Sequence, residues 1–266
     1  MIRRHYLDGT WGQVHLTEAG AGPPLVLLHQ SPLSGGMFLP SLKSLAAAGF
    51  RAIALDMPGY GASDPPPGRQ SVEAHAEALV GILDALGLDR VHLLGHHTGA
   101  SIAAAFAARH GERLDRLVLN GLALLNEDER AFFAGFKFSA IAPRADGGHL
   151  VDAWQQRLKA TPGWTDIAAM HRHVVTMLAN PDRYFWAFEA VFAHDLAADL
   201  VRIAVPTLVL TNSGDDLFAA STRAAASRPE WAFLSLEGGT HDIVDEQPLA
   251  WVNAVCNFLV GPVARG

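Results

Sequence analysis

The chain has 266 residues, half of them hydrophobic and only 18% charged, with a formal net charge of −7. This excludes an intrinsically disordered chain, and the scattered 25 Gly and 15 Pro exclude a collagen-like or low-complexity one. The single cysteine, Cys256, excludes an internal disulfide framework and a cysteine-rich zinc site, and the dispersed basic residues argue against a nucleic-acid partner.

The elements follow in chain order. Ile2 to Thr17, with Asp8-Gly9 between two runs, reads as a hairpin. Continuous apolar runs at Leu25–Leu28, Ala52–Leu55, Val91–Leu94, Leu117–Leu119 and Thr207–Leu210 read as strands buried on both faces. Between them, Val72, Ala76, Leu79, Leu83 and Leu86 recur at helical spacing, with Ser71 as N-cap and Gly87 as the stop. Thr98 to His110 is an Ala-rich helix that ends at Gly111, and Trp251 to Val260 closes the chain as a helix. Strands alternating with helices give an α/β fold with a mostly parallel sheet. No apolar run approaches the ~18 residues of a membrane span. Met1-Ile2-Arg3-Arg4 is not followed by the apolar stretch of a signal peptide. The expectation is a cytoplasmic protein with no membrane partner.

One segment breaks the alternation. From about Glu127 to Asp199 the pattern is helical and rich in aromatics: Phe132, Phe133, Phe136, Trp154, Trp164, Tyr184, Phe185, Trp186, Phe188 and Phe192. A long insertion between parallel strands sits at the ligand-binding edge of such a sheet. Residues 1–125 and 201–266 are therefore read as the core, and residues 126–200 as a helical cap.

The central motif is Gly95-His96-His97-Thr98-Gly99, after a strand and before a helix. That is the setting of a nucleophile elbow, where flanking glycines are needed because the turn is too sharp for side chains. With Leu27-Leu28-His29-Gln30-Ser31-Pro32, Asp56-Met57-Pro58-Gly59-Tyr60-Gly61-Ala62-Ser63-Asp64, Val205–Leu210 leading to Asp215-Asp216, and Gly238-Gly239-Thr240-His241, the chain resembles the α/β-hydrolase superfamily over nearly its whole length. The resemblance implies an α/β-hydrolase fold without metal or cofactor. It implies backbone N–H groups of Gln30 and Thr98 as oxyanion donors. It also implies an acid at Asp215, with Asp216 as the alternative, that orients a base at His241.

The departure lies at the elbow centre, which holds His97 instead of Ser, Cys or Asp. The lack of Asp there speaks against haloalkane dehalogenase and epoxide hydrolase chemistry. Ester hydrolases and C–C hydrolases share the lidded layout but carry Ser. Three roles are open to His97. As a nucleophile it would form an acyl-imidazole; as one of two imidazoles with split pKa values it would serve acid–base lyase or isomerase chemistry; or it fills the space in a non-catalytic binding protein. His29, His96, His97, His241 and Asp215 look like a ligand set, but the resemblance gives His29 and His96 structural places, so no metal is expected. His171 and His173 are read as solvated or structural. The sequence thus points to a hydrolase of a small apolar ester, acyl or C–C substrate that uses His97, His241 and Asp215. The substrate and the oligomeric state are not legible.

Overall fold

The computed structural model describes residues 1–261 except Phe136, so that member of the aromatic set lies outside the described residues. The elements run β1 (Ile2–Gly9), β2 (Gly12–Ala19), β3 (Pro24–Leu28), α1 (Leu39–Ala47), β4 (Arg51–Leu55), α2 (Val72–Ala85), β5 (Val91–His96), α3 (Thr98–His110) and β6 (Leu114–Asn120). Five helices follow: α4 (Glu127–Ala134), α5 (Gly148–Ala160), α6 (Ile167–Ala179), α7 (Trp186–Ala193) and α8 (Leu196–Leu200). The chain then returns to β7 (Thr207–Asn212), α9 (Phe218–Ser227), β8 (Ala232–Leu236), α10 (Ile243–Glu246) and α11 (Pro248–Val260).

The strands form one eight-stranded sheet in the order β1-β2-β4-β3-β5-β6-β7-β8. The hairpin strands β1 and β2 run antiparallel, β2 also pairs antiparallel with β4, and β3 to β8 run parallel to one another. The hairpin turn is Thr10-Trp11, two residues later than the Asp8-Gly9 signal, because Gly9 pairs with Gly12. Alternation along each strand divides the core in two. Val26, Leu28, Ile53, Leu93, Leu117 and Val209 face one side, with α2 and α3; Leu25, Leu27, Ala52, Leu94, Val118 and Leu208 face the other, with α1 and α11. Both faces being covered is why these strands read as unbroken apolar runs. Ser71 caps α2 by accepting from the Ala74 N–H, and Gly87, just beyond its end, takes φ +65°.

The strand order carries the functional consequence. From β3 the chain moves outward to β4, then returns to place β5 on the other side of β3. A crevice opens at such a reversal, at the carboxyl ends of the strands. The Gln30 segment after β3 and the elbow after β5 meet there, and Asp215 and His241 follow β7 and β8 at the same end. Helices α4 to α8 lie between β6 and β7 and carry a small apolar cluster of their own, with Ala153, Val174, Met177, Tyr184 and Phe185 at its centre. Among the described residues no helix is long and apolar enough to cross a membrane.

Candidate active site

The elbow is built as its glycines require. A Cβ on Gly95 would lie 2.1 Å from the Gly99 carbonyl oxygen, and one on Gly99 would lie 2.2 Å from that of Leu28. Between them His97 has φ 50° and ψ −108°, and it is the one non-glycine residue with positive φ among those described. A β-branched residue such as Thr98 would be more strained there than histidine. The turn is anchored by the His97 N–H donating to the Asn120 carbonyl at 2.8 Å, and by the His97 carbonyl accepting from Ala100 at 2.8 Å. Asn120 itself is buried, with its side-chain oxygen accepting from the Trp251 indole at 2.7 Å.

The imidazole of His97 reaches out of the turn to Asp215, with Nε2 2.9 Å from Oδ2. This corrects the expected pairing: Asp215 orients His97, not His241. The reason is reach. A histidine at the elbow centre is long enough to place its own ring beside the carboxylate, where serine would leave room for a second residue. The Asp215 side chain is fully buried, and its Oδ1 accepts from the Leu217 N–H at 2.8 Å. Burial pushes its carboxyl up, but the charge and hydrogen bond of His97 outweigh this and hold it at about 2. For His97, burial favours the neutral ring; the Asp215 charge and hydrogen bond, reinforced by Asp242 and Asp216, move it above the ordinary imidazole value. Only Nε2 is engaged by the carboxylate. Nδ1 has no hydrogen-bond partner among the described residues.

His241 has other partners. Arg157 of α5 donates from Nη1 to His241 Nε2 at 3.1 Å. A guanidinium can only donate, so Nε2 accepts and the ring proton sits on Nδ1, 3.4 Å from the exposed Asp216 carboxylate. The expected orienter of His241 is thus replaced by its neighbour Asp216. The two rings lie 6.1 Å apart, centroid to centroid.

Three other histidines, His96, His29 and His173, are buried and bonded within the fold. His96 is fully buried and stacks on His97 at 4.6 Å, and its Nε2 donates to the His241 carbonyl at 2.8 Å. Burial, with the nearby His97 charge, drops it to about 4, so it stays neutral. His29 donates from Nδ1 to the Gln30 carbonyl at 2.9 Å and accepts at Nε2 from the Met57 N–H at 2.9 Å. His173 is buried and wired into the site's surroundings instead of being solvated: Nδ1 accepts from Arg157 at 2.9 Å, and Nε2 donates to Asp245 at 2.8 Å. Among the described residues no group of three or more His, Cys, Asp or Glu is arranged to hold a metal ion.

These groups open on a cavity of about 340 Å³. Gln30, His97, Thr98, Asp216 and His241 line its floor. Arg157 and the aromatic side chains of Phe133, Phe138, Tyr184, Phe188 and Phe192 line the opposite wall, which the inserted helices supply. The aromatics also pack on each other: Phe133 stacks on Phe192 at 4.8 Å and Phe138 on Phe188 at 5.5 Å. The backbone N–H groups of Gln30 and Thr98 have no partner among the described residues. Arg157 and Asp242 escaped the sequence reading. An arginine on an amphipathic helix looks like a solvated face, and only the adjacency of Asp242 to His241 hinted at a role.

The fold and this constellation place the chain in a known class. Residues 23–248 match the α/β-hydrolase fold family, and the chain belongs to it. It is 29% identical to the RutD protein of Caulobacter sp. (strain K31), whose name gives carbamate hydrolysis as its activity, over 97% of this chain and 98% of that one. It is 44% identical to 2-hydroxy-6-oxononadienedioate/2-hydroxy-6-oxononatrienedioate hydrolase 2 of Pseudomonas putida, but over only 41% of this chain and 40% of the relative. A solved hydrolase structure from Pseudomonas aeruginosa PA01 superposes with a TM-score of 0.80 at 26% identity, covering 97% of this chain and 99% of the other.

Proposed function

We propose that the protein hydrolyses a small, largely apolar ester or related acyl or C–C substrate, with water activated by the His97–Asp215 pair. The observation that carries this reading is the bond from His97 Nε2 to the buried Asp215 carboxylate at the elbow centre. It leaves Nδ1 as the nitrogen available to the cavity. Nδ1 adjoins the ring carbon that bears the backbone, so it is hindered as a nucleophile yet well placed to take a proton. Of the roles open to His97, general base is therefore preferred to acyl-imidazole formation. The relatives are hydrolases of small molecules by name, which supports the same reaction class here. The inserted helices 126–200 act as the cap over the substrate, and their aromatic wall suits an apolar body.

The steps balance without further groups. Water gives a proton to His97 Nδ1 as its oxygen adds to the substrate carbonyl carbon. The carbonyl π electrons move to oxygen, which the N–H groups of Gln30 and Thr98 receive. The tetrahedral species then collapses and the leaving group departs with the proton from Nδ1–H. Asp215 stays ionised and holds the ring through both transfers.

The test is turnover of p-nitrophenyl esters with intact-mass measurement. Wild type is expected to hydrolyse them without an accumulating adduct, and His97→Gln to lose roughly 10²- to 10⁴-fold, the usual worth of a general base. Undiminished turnover in His97→Gln would overturn the assignment, and an acyl group on His97 would reinstate the nucleophile. The lack of a hydroxyl or thiol at the elbow centre favours a second reading. A base facing two free N–H groups also suits abstraction of a proton α to a carbonyl, and deuterium uptake by an unhydrolysable ketone in D₂O would reveal it.

A further inference from the structure

Arg157 of α5 bridges several polar side chains of the core and of the inserted helices. Its Nη1 donates to His241 Nε2 at 3.1 Å, and its Nη2 donates to His173 Nδ1 at 2.9 Å and to the Asp242 carboxylate. Its guanidinium lies 5.8 Å from the Trp164 ring centre, and that ring also packs on His173. Asp242 is fully buried, and its second oxygen, Oδ1, accepts from the Gln30 side-chain amide at 2.8 Å. A continuous chain of polar contacts therefore runs from helix α5 through Arg157 and Asp242 to Gln30, whose backbone N–H is one of the two free donors on the cavity floor. A branch of the same chain fixes the tautomer of His241. A second strap runs beside it, from His173 and Arg172 of α6 to Asp245.

We infer that Arg157 is a positioning residue: bridging His241 and Asp242, it makes the seating of α5 on the core a condition for placing the Gln30 N–H and for keeping His241 out of the role of base. The inference builds on the reading of His97 as base, and it explains a division of labour that reading leaves open. His241 follows β8 at the same end of the sheet, but its Nε2 lone pair is occupied by a group that never gives up its charge. Asp242 in turn has two oxygens and two directions to serve. One holds the residue that offers an oxyanion donor, and the other holds the inserted helix. If α5 lifts, Asp242 keeps a buried charge with its strongest partner gone, and Gln30 loses a fixed anchor. A fork-shaped donor is needed, because His241 and Asp242 are met by different nitrogens of one guanidinium.

Arg157→Gln, Arg157→Lys, Asp242→Asn and the double variant Arg157→Gln/Asp242→Asn test this by two readouts. The first is kcat and KM on p-nitrophenyl butyrate. Arg157→Gln is expected to lower kcat by roughly 10- to 100-fold, the scale of a small misplacement of reacting groups, with KM within about twofold. Arg157→Lys should recover part of the loss, and the double variant should lose less than the product of the single losses. The second readout is the ¹⁵N imidazole spectrum of His241, which is independent of turnover. Wild type should show one tautomer with the proton on Nδ1, and Arg157→Gln a mixture. A raised KM at unchanged kcat would overturn the inference by making Arg157 a substrate-binding residue. An unchanged kcat, or a His241 tautomer indifferent to Arg157, would overturn it as well. If wild type turns over no ester, the hydrolase reading fails on its own, and the imidazole spectra still decide the role of Arg157. Arg157→Lys, which keeps the charge beside Asp242, serves the spectra if Arg157→Gln does not fold.

Discussion

Replacing Asp215 with Asn keeps the shape of the side chain and removes the charge that His97 faces. The size of the effect follows from the pair. The fully buried Asp215 carboxyl is held at about 2 against its ordinary 3.8, because the His97 charge and hydrogen bond outweigh the cost of burial. At about 1.36 kcal/mol per pH unit, that gap is roughly 2 kcal/mol in favour of the charged pair. By reciprocity His97 loses the same support. Its folded value lies above the ordinary imidazole value, and in the proposed reaction the neutral ring is the base, so wild-type kcat/KM should rise with pH through a midpoint above ~6.5. In Asp215→Asn the midpoint should move down, and the plateau should fall by roughly 10²- to 10⁴-fold because the ring is no longer held. The assay is the pH–rate profile on an activated ester, with the His97 titration followed by NMR. A variant that keeps both the wild-type plateau and the wild-type midpoint would refute the reasoning, since it would mean Asp215 neither orients nor charges His97.

Three further outcomes are expected. His97→Ser should not gain esterase activity, because His241 Nε2 remains capped by Arg157 3.1 Å away; strong activity in the single variant would contradict the Arg157 contact. Gly121→Ala should displace the His97–Asp215 pair, because the added Cβ would lie 2.2 Å from His97 Cδ2 and 3.0 Å from Asp215 Oδ2, at a residue with φ +66°; an unaltered pH–rate profile would count against the geometry. His194 is buried between Glu73 at 2.7 Å and Asp199 at 3.0 Å, and these carboxylates raise its value despite the opposing effect of burial. A raised histidine stabilises fully below its unfolded value and loses that contribution as pH rises through the folded one. The Tm deficit of His194→Gln should therefore be larger near pH ~6 than near pH ~9, either side of the imidazole range, and an equal deficit would show that the ring does not titrate between them and so refute the linkage.

What the sequence revealed and what it hid divide along physical lines. Strands β3 to β7 announce themselves because burial on both faces demands unbroken apolar runs. Helix α2 does so because Ser71 and Gly87 punctuate it. Strand β8 went unread, because four of its five residues are exposed at the sheet edge and no burial pattern marks it. Helix α1 was missed too, being short and introduced by a Gly-rich turn. Among the candidate site residues, the elbow shows in local turn chemistry, and the resemblance to the family brings Gln30, Asp215 and His241 to the end of the sheet where the structure has them. The partnership of Asp215 was not legible. Two imidazoles stand at the same end of the sheet, and the choice between them depends on how far a side chain reaches from a strained turn. Arg157 and Asp242 were hidden for a related reason: they come from segments 85 residues apart, and neither has meaning without the other.

The histidine at the elbow has a practical consequence for anyone looking for this protein's activity in a mixture. Reagents that report on this superfamily by phosphonylating or sulfonylating an activated hydroxyl find no hydroxyl at the elbow centre, where His97 stands. On the proposed reading such labelling would pass the protein over even where it turns over substrate. On the proposed reading, with His97 as a base, its inhibitors would be reversible ligands that mimic the hydrated carbonyl and fill the aromatic wall, and its presence would be followed by product formation.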